Sequence, residues 1–288
     1  MRGGSNPGHA SVAALAALCL AMAGYAETPP TCASLPGVGA LWSRPGLRFV
    51  LVGEMHGTTE SPVVFRDLVC TATSNKRPIV VGIERSTREQ PAIDAFMAPG
   101  NHEAATSALL TERGWKVFDG RSSRAMLMLL EGLRALKLKG QISEVVAFDD
   151  TRAGESDAQG EQRMASALIA AADRRANALV IALTGNLHAS KKLIAEFGSY
   201  PLMAMLLPAA QTVSLLVTDK GGEAWNQIED RCGPHKQDSS GGARRGIVLS
   251  ESAAPIPGFD GVLSTGLTSS ASFPAIQDAP PPPACSTF

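Results

Sequence analysis

Leu47-Arg48-Phe49-Val50-Leu51-Val52-Gly53-Glu54-Met55-His56-Gly57 is an apolar run that ends in a short polar word. Preceded by Pro45-Gly46 and stopped by Gly53, residues 48–52 read as the first buried strand. A carboxylate and an imidazole directly after such a strand must be solvated, paired or bound to a metal, so Glu54 and His56 mark chemistry at a strand end. The word has an echo: residues 178–183 form another apolar run, and Gly185-Asn186-Leu187-His188 closes it with the same G-x-x-H spacing. Spacing alone is a weak signal in a glycine-rich chain; the shared placement carries the argument.

Between the two words the pattern alternates. Ser61-Pro62 opens a helix with Val64, Phe65, Leu68 and Ala72 on its apolar face, and residues 79–83 form a second strand with Glu84-Arg85 at its end. Residues 91–97 read as a short helix broken by Pro99-Gly100-Asn101, and residues 115–118 as a short strand or extended link before Asp119-Gly120-Arg121. Met126, Leu129, Leu130, Leu133 and Leu136 predict a long amphipathic helix. Residues 145–148 are the third strand, ending in Asp149-Asp150, and a helix over 157–175 shows Met164, Leu168 and Ala172 on one face. After His188, the residues Leu193, Ile194 and Phe197 mark a further helix stopped by Gly198, at whose start the macrodipole keeps His188 neutral. Residues 202–207 and 213–217 read as two more strands, with antiparallel pairing expected there.

Alternating strands and helices predict an α/β fold: a mainly parallel central sheet with helices on both faces, antiparallel strands near the C-terminal end and an irregular C-terminal tail. Ligands of such sheets bind outside the carboxyl ends of the strands. Glu54 and His56, Glu84 and Arg85, Asp149 and Asp150, and Asn186 and His188 each follow a different strand, so one topology brings them to one edge.

The N-terminus is set aside as an export signal. Arg2 gives a positive start, residues 11–22 an apolar stretch too short to span a bilayer, and Gly24-Tyr25-Ala26 a cleavage site after Ala26. The expected organisation is therefore a signal peptide over 1–26, one α/β domain over 27–232, and a Gly/Ser/Pro-rich segment over 233–288 partly packed on it. A periplasmic or secreted location follows, with no transmembrane segment after cleavage. Lys and Arg number 26 against 27 Asp and Glu, a balance without a nucleic-acid footprint, which leaves a small-molecule or peptide substrate as partner. Cleavage leaves Cys32, Cys70, Cys232 and Cys285, an even set with three possible pairings. Cys232 with Cys285 is preferred, and Cys70 reads equally well as a buried free thiol.

Two imidazoles with several carboxylates suit a divalent metal, zinc or manganese, with Glu54, His56, Glu84 and His188 as ligands and a bound water as nucleophile. A metal-free variant uses His56 or His188 as general base, oriented by a carboxylate, with water attacking an ester or amide. Arg85 and Arg121 either clamp a substrate carboxylate or balance the acidic cluster, and Asp149 and Asn186 complete the substrate-binding set.

The polar words Gly53-Glu54-Met55-His56-Gly57 and Gly185-Asn186-Leu187-His188, with Glu84 between them, make the chain similar over residues 49–217 to the superfamily that unites Tiki and TraB proteases, ChaN-like haem-uptake proteins and erythromycin-esterase-like hydrolases. That resemblance implies the same fold and a site built on His56, Glu84 and His188. Together with the residues it gives an order of functional readings: an exported hydrolase, metal-dependent, acting on an amide or ester; then a ChaN-type haem-binding or haem-uptake protein without catalysis; then a degenerate interaction module. In the haem alternative Tyr200, the one tyrosine left after cleavage, or a histidine is the axial ligand.

Overall fold

The structure, a computed structural model, describes residues 32–194, 198–228, 231–241, 244–250 and 256–276. The expected signal segment and Cys285 lie outside them. Strand β1 (Phe49–Glu54) is buried at every position. A strand without a polar face must be covered on both sides, and β1 meets this as an inner strand of a seven-stranded sheet. In chain order the elements are α1 (Val38–Trp42), β1, α2 (Glu60–Ala72), β2 (Ile79–Ser86), α3 (Gln90–Met97), α4 (His102–Thr111), α5 (Arg124–Leu138), β3 (Glu144–Asp149), α6 (Asp157–Asp173), β4 (Leu179–Gly185), α7 (Asn186–Ala189), α8 (Met203–Leu206), β5 (Thr212–Thr218), β6 (Gly222–Ile228), β7 (Arg231–Gln237), β8 (Gly246–Leu249) and β9 (Gly261–Ser264). The main sheet runs β3-β2-β4-β1-β5-β9-β8, and β6 pairs with β7 in a separate hairpin. Main-sheet pairs are parallel except β8 against β9. The mainly parallel α/β architecture with late antiparallel strands agrees with the sequence pattern.

Alternate side chains of each strand feed two cores. Val50 and Val52, Val81 and Ile83, and Ile181 and Leu183 pack with Phe65 and Leu68 of α2 and Leu129 and Leu133 of α5. Phe49 and Leu51, Val80, Val180 and Ala182 face the other way, onto Met164, Leu168 and Ala172 of α6. The cores therefore lie within the sheet, and the strand ends are left for polar groups.

Several local expectations give way. Residues 203–206 form α8 instead of a strand: Met203 and Ala204 are buried while Met205 and Leu206 are exposed, so one side of a single helical turn is covered, between Pro201 and Pro208. β5 pairs parallel with β1, and the antiparallel pairing lies at β6 with β7 and β8 with β9. Residues 113–116 make a 3-10 turn that places Trp115 beneath the guanidinium of Arg85. The helix after β4 ends at Ala189 and residues 191–194 are not helical, with Phe197 outside the described residues. Beyond residue 232 the chain adds β8 and β9 to the sheet, so position 232 does not end the sheet domain. Cys70 is not free: it is disulfide-bonded to Cys32, tying α2 to the segment before α1. Cys232 is also in a disulfide, whereas the Cys285 end expected for it lies outside the described residues.

Candidate functional site

Adjacent strands set the site. β1 and β4 are neighbours with Glu54 opposite Gly185, so the two G-x-x-H words lie side by side, and β2 borders β4 on the other side. The register of β2 against β3 shifts after Ile83, an irregularity that re-aims the side chains beyond it. Glu84 turns toward β4, where its Oε2 accepts from Thr184 Oγ1 at 2.6 Å and Gly185 N at 2.7 Å. Arg85 pairs with Glu89 at 2.6 Å, lies 4.5 Å from the Trp115 ring centroid and donates to the Arg121 carbonyl at 3.1 Å. Arg85 thus stands behind Arg121 as buried support, with its charge already used.

Each histidine is held by a carboxylate and turned toward Glu84. His56 Nδ1 is 3.1 Å from Glu54 Oε1, and its Nε2 is 3.5 Å from Glu84 Oε1. His188 Nδ1 is 2.7 Å from Glu161 Oε1, and its Nε2 is 3.9 Å from the same Glu84 oxygen. A carboxylate on Nδ1 fixes the proton there and leaves Nε2 for chemistry. Two glycines make room. Gly57 has φ 87°, and a Cβ on it would run into the Trp225 carbonyl; a Cβ on Gly185 would stand 3.1 Å from His56 Nε2.

Arg121 closes the cluster on one side. Its Nη1 donates to Glu84 Oε1 at 3.0 Å and Asp149 Oδ2 at 3.2 Å, and its Nε and Nη2 bind Asp119 at 2.8 and 2.6 Å. Arg121 therefore balances the acidic cluster; its forked face is committed to Asp119. The charges move the titrations. Burial works against a charged His56, but the Glu84 charge and hydrogen bonds to Glu54 and Glu84 outweigh it and push the imidazole up to about 10. Burial likewise opposes a charged His188, and the Glu161 hydrogen bond with the Glu84 and Glu161 charges leaves it above the ordinary imidazole range. Glu84 is held well below the usual carboxylate range, its burial outweighed by His56, Arg121 and His188. Glu54 is raised by burial, and its Oε2 has no hydrogen-bond partner among the described residues. The expected helix dipole is not what acts on His188, which lies in the one-turn α7.

A cleft of about 510 Å³ opens beside Glu84, Arg121 and His188, with Asp149, Asp157, Glu161, Met164, Leu187 and Tyr200 in its walls. The Tyr200 hydroxyl donates to Asp157 Oδ2 at 3.4 Å, and burial with the nearby Asp157 and Glu161 raises its pKa. Asn186 is exposed at the start of α7. Among the described residues no group of three or more His, Cys, Asp or Glu is arranged to hold a metal ion. The donor chemistry gives a reason: Glu84 Oε1, the atom both imidazoles face, carries the Arg121 guanidinium, and its Oε2 is taken by Thr184 and Gly185. As arranged, the set does not fit a divalent cation.

Glu161 is the member of the cluster that the motifs do not reveal. Its signal was present: Glu161, Met164, Leu168 and Ala172 lie on one helical face, where a carboxylate among apolar neighbours needs a partner. Its Oε2 accepts from Met203 N at 2.6 Å, so α8 fixes it from behind. Asp119, which opens the Asp119-Gly120-Arg121 word, also belongs to the cluster.

No family model and no curated protein matches this chain. Solved structures do match. A protein from Bacillus cereus is 12% identical, with 87% of this chain and 96% of that chain covered and a TM-score of 0.55. A succinoglycan biosynthesis protein is 11% identical over 85% of this chain and 94% of that one, with a TM-score of 0.57. An erythromycin esterase in its open conformation is 10% identical over 79% and 92%, with a TM-score of 0.48. The first two likenesses are of fold.

Proposed function

We propose that the chain is an exported hydrolase of ester or amide bonds in small neutral or cationic molecules. One observation carries this reading: His188, oriented through Nδ1 by buried Glu161, lines a cleft together with Glu84 and Arg121, and a second carboxylate-held imidazole, His56, stands 3.5 Å from the same Glu84 oxygen. In this mechanism neutral His188 takes a proton from water at Nε2 while the water oxygen bonds to the substrate carbonyl carbon. The carbonyl π-electrons move to oxygen, and the resulting oxyanion is stabilised by the His56 imidazolium. When the tetrahedral species collapses, the departing alcohol or amine takes up the proton that His188 had accepted, which restores the neutral base. Glu84 holds both rings in place without changing its own charge. An excess of carboxylates in the cleft, with Arg121 engaged by three of them, disfavours anionic substrates.

The divalent metal expected from the sequence has no part in these steps. Export is supported by the Cys32–Cys70 disulfide, a bond that persists in oxidising compartments, and no described helix is long and apolar enough to cross a membrane. The paired G-x-x-H words fit the resemblance to the Tiki, ChaN and erythromycin-esterase-like superfamily. The test is hydrolysis of matched neutral, cationic and anionic esters and amides by purified protein, before and after exhaustive chelation, with metal content measured alongside. Turnover of the neutral and cationic members that survives chelation is expected. Turnover that tracks bound zinc or manganese would replace the imidazole base with a metal-bound water.

A further inference from the structure

The C-terminal residues 265–276 run as a strap across the loops that carry the site. At its start the strap is tied to the β5–β6 turn: Lys220 N donates to Leu267 O at 2.9 Å, Ser269 N to Gly221 O at 2.7 Å, and Ser269 Oγ to Asp219 Oδ2 at 2.6 Å. Further along it meets the His56 loop. Ser272 N donates to Gly57 O at 2.8 Å, Thr59 N to Ser270 O at 2.9 Å, and Ser270 N to Glu60 Oε2 at 2.8 Å. The same few residues meet the segment after Arg121. Arg124 N donates to Phe273 O at 2.8 Å, Ala125 N to Ser272 Oγ at 3.0 Å, and Ala275 N to Ser122 O at 2.9 Å. Two first-turn donors of α5, Arg124 N and Ala125 N, which have no intrahelical partner, are satisfied in this way.

Ser272 is the joint. Its backbone N–H holds the residue after His56, and its buried hydroxyl holds the helix start just beyond Arg121. His56 and Arg121 approach Glu84 from those two loops, and each must arrive within a few tenths of an ångström to share one carboxylate oxygen. Close packing adds to the demand, since a Cβ on Gly120 would lie 2.7 Å from Gly57 N. We infer that the strap is a positioning element of the site, with Ser272 the residue that fixes the His56 loop against the Arg121 loop. This rests on the hydrolase reading for its effect on turnover, and on geometry alone for its effect on His56.

The experiment uses the full chain carrying Ser272→Ala, Ser272→Thr or Ala125→Pro. Imidazole proton–nitrogen correlation spectra report His56 directly, with His102 on α4 as an internal reference, and steady-state kinetics report kcat and KM. In Ser272→Ala the His56 signals should move while those of His102 stay. kcat should fall about tenfold, as when one bond that orients a catalytic group is lost, with KM unchanged. Ser272→Thr, which keeps the hydroxyl, should restore both. If Ser272→Ala does not fold, Ala125→Pro removes the donor from the opposite side, in a first helical turn that tolerates proline, and is read by the same measurements. A folded variant whose His56 signals match wild type overturns the inference. A wild-type protein that hydrolyses nothing overturns the hydrolase reading instead, and the His56 spectra still decide the strap.

Discussion

The two carboxylate–imidazole pairs are alike in geometry and unlike in origin. In both, Nδ1 rests on a buried carboxylate and Nε2 looks toward Glu84 Oε1, at 3.5 Å for His56 and 3.9 Å for His188. His56 takes its carboxylate from two residues away on the same strand end, whereas His188 takes Glu161 from a helix 27 residues earlier. Local supply costs precision. Glu54 has one oxygen unpartnered among the described residues and a raised pKa, while both oxygens of Glu161 are bonded, to His188 and to Met203 N. The better-held imidazole is the one suited to be the base, and the more strongly charged one is suited to stabilise the oxyanion.

The largest expected effect removes that base. His188→Ala should lower kcat about 10²–10⁴-fold, the usual worth of a positioned general base. His56→Ala should also lower it strongly, and the double variant should cost little beyond the worse single one, because the rings serve one transition state. Near-multiplicative losses in this set would show two independent sites. Circular dichroism should stay native, since both side chains lie beyond the sheet interior.

The carboxylates offer a finer cut. Glu161→Gln should lower kcat about 10²-fold, and Glu54→Gln less, because Glu54 orients the oxyanion-stabilising imidazole and Glu161 orients the base. The two substitutions should move opposite limbs of the pH profile. Activity rises as His188 loses its proton, above the ordinary imidazole range, and falls as His56 loses its own near 10. Removing the Glu161 charge lowers the His188 pKa, so the rising limb shifts to lower pH. Removing the Glu54 charge lowers the His56 pKa, so the falling limb shifts to lower pH. Stability follows the same sign: the folded-state pKa of His56 lies above its unfolded value of 6.5, so its contribution is complete below 6.5 and is lost as pH passes through about 10. Melting temperature measured from pH 6 to 11 should decline across that interval, and less so in His56→Ala.

What the sequence revealed follows the same divide. Strands β1 to β4 are short, apolar and flanked by turn residues, so the sequence pattern alone places their ends, and with them Glu54, His56, Glu84, Asp149 and His188, on one edge. Arg85 shows the limit of that logic: neighbouring residues at a strand end point to opposite sides, and the one after Glu84 went to Glu89 and Trp115. Partners supplied from far along the chain were invisible to motif reading. Glu161 sits on a helix whose apolar face is plain in the sequence but whose carboxylate finds its partner 27 residues further on, and Ser272 lies in a segment whose Gly, Ser and Pro content hides the pairing of its backbone. Residues 202–207 misled because a run of apolar residues between prolines suits a buried strand or a half-buried helical turn equally well.

The smallest expected effect concerns Tyr200, on which the hydrolase and haem readings disagree. Its hydroxyl donates to Asp157 at the cleft wall, and burial beside two carboxylates raises its pKa, so at neutral pH it stays a phenol. A phenol is a poor axial ligand for ferric haem, where tyrosine acts as the anion. As a wall residue it contributes contact area and one long hydrogen bond shared with an exposed carboxylate, a bond worth about 0.5–1.5 kcal/mol at most. Tyr200→Phe should therefore leave kcat within about threefold and raise KM by less than tenfold, the limit set by that energy. Protein incubated with hemin should show no stoichiometric Soret band, with or without the hydroxyl. A one-to-one band in wild type that disappears in Tyr200→Phe, with no hydrolysis of any ester or amide, would turn the cleft into a haem site and leave the two imidazole pairs as its scaffold.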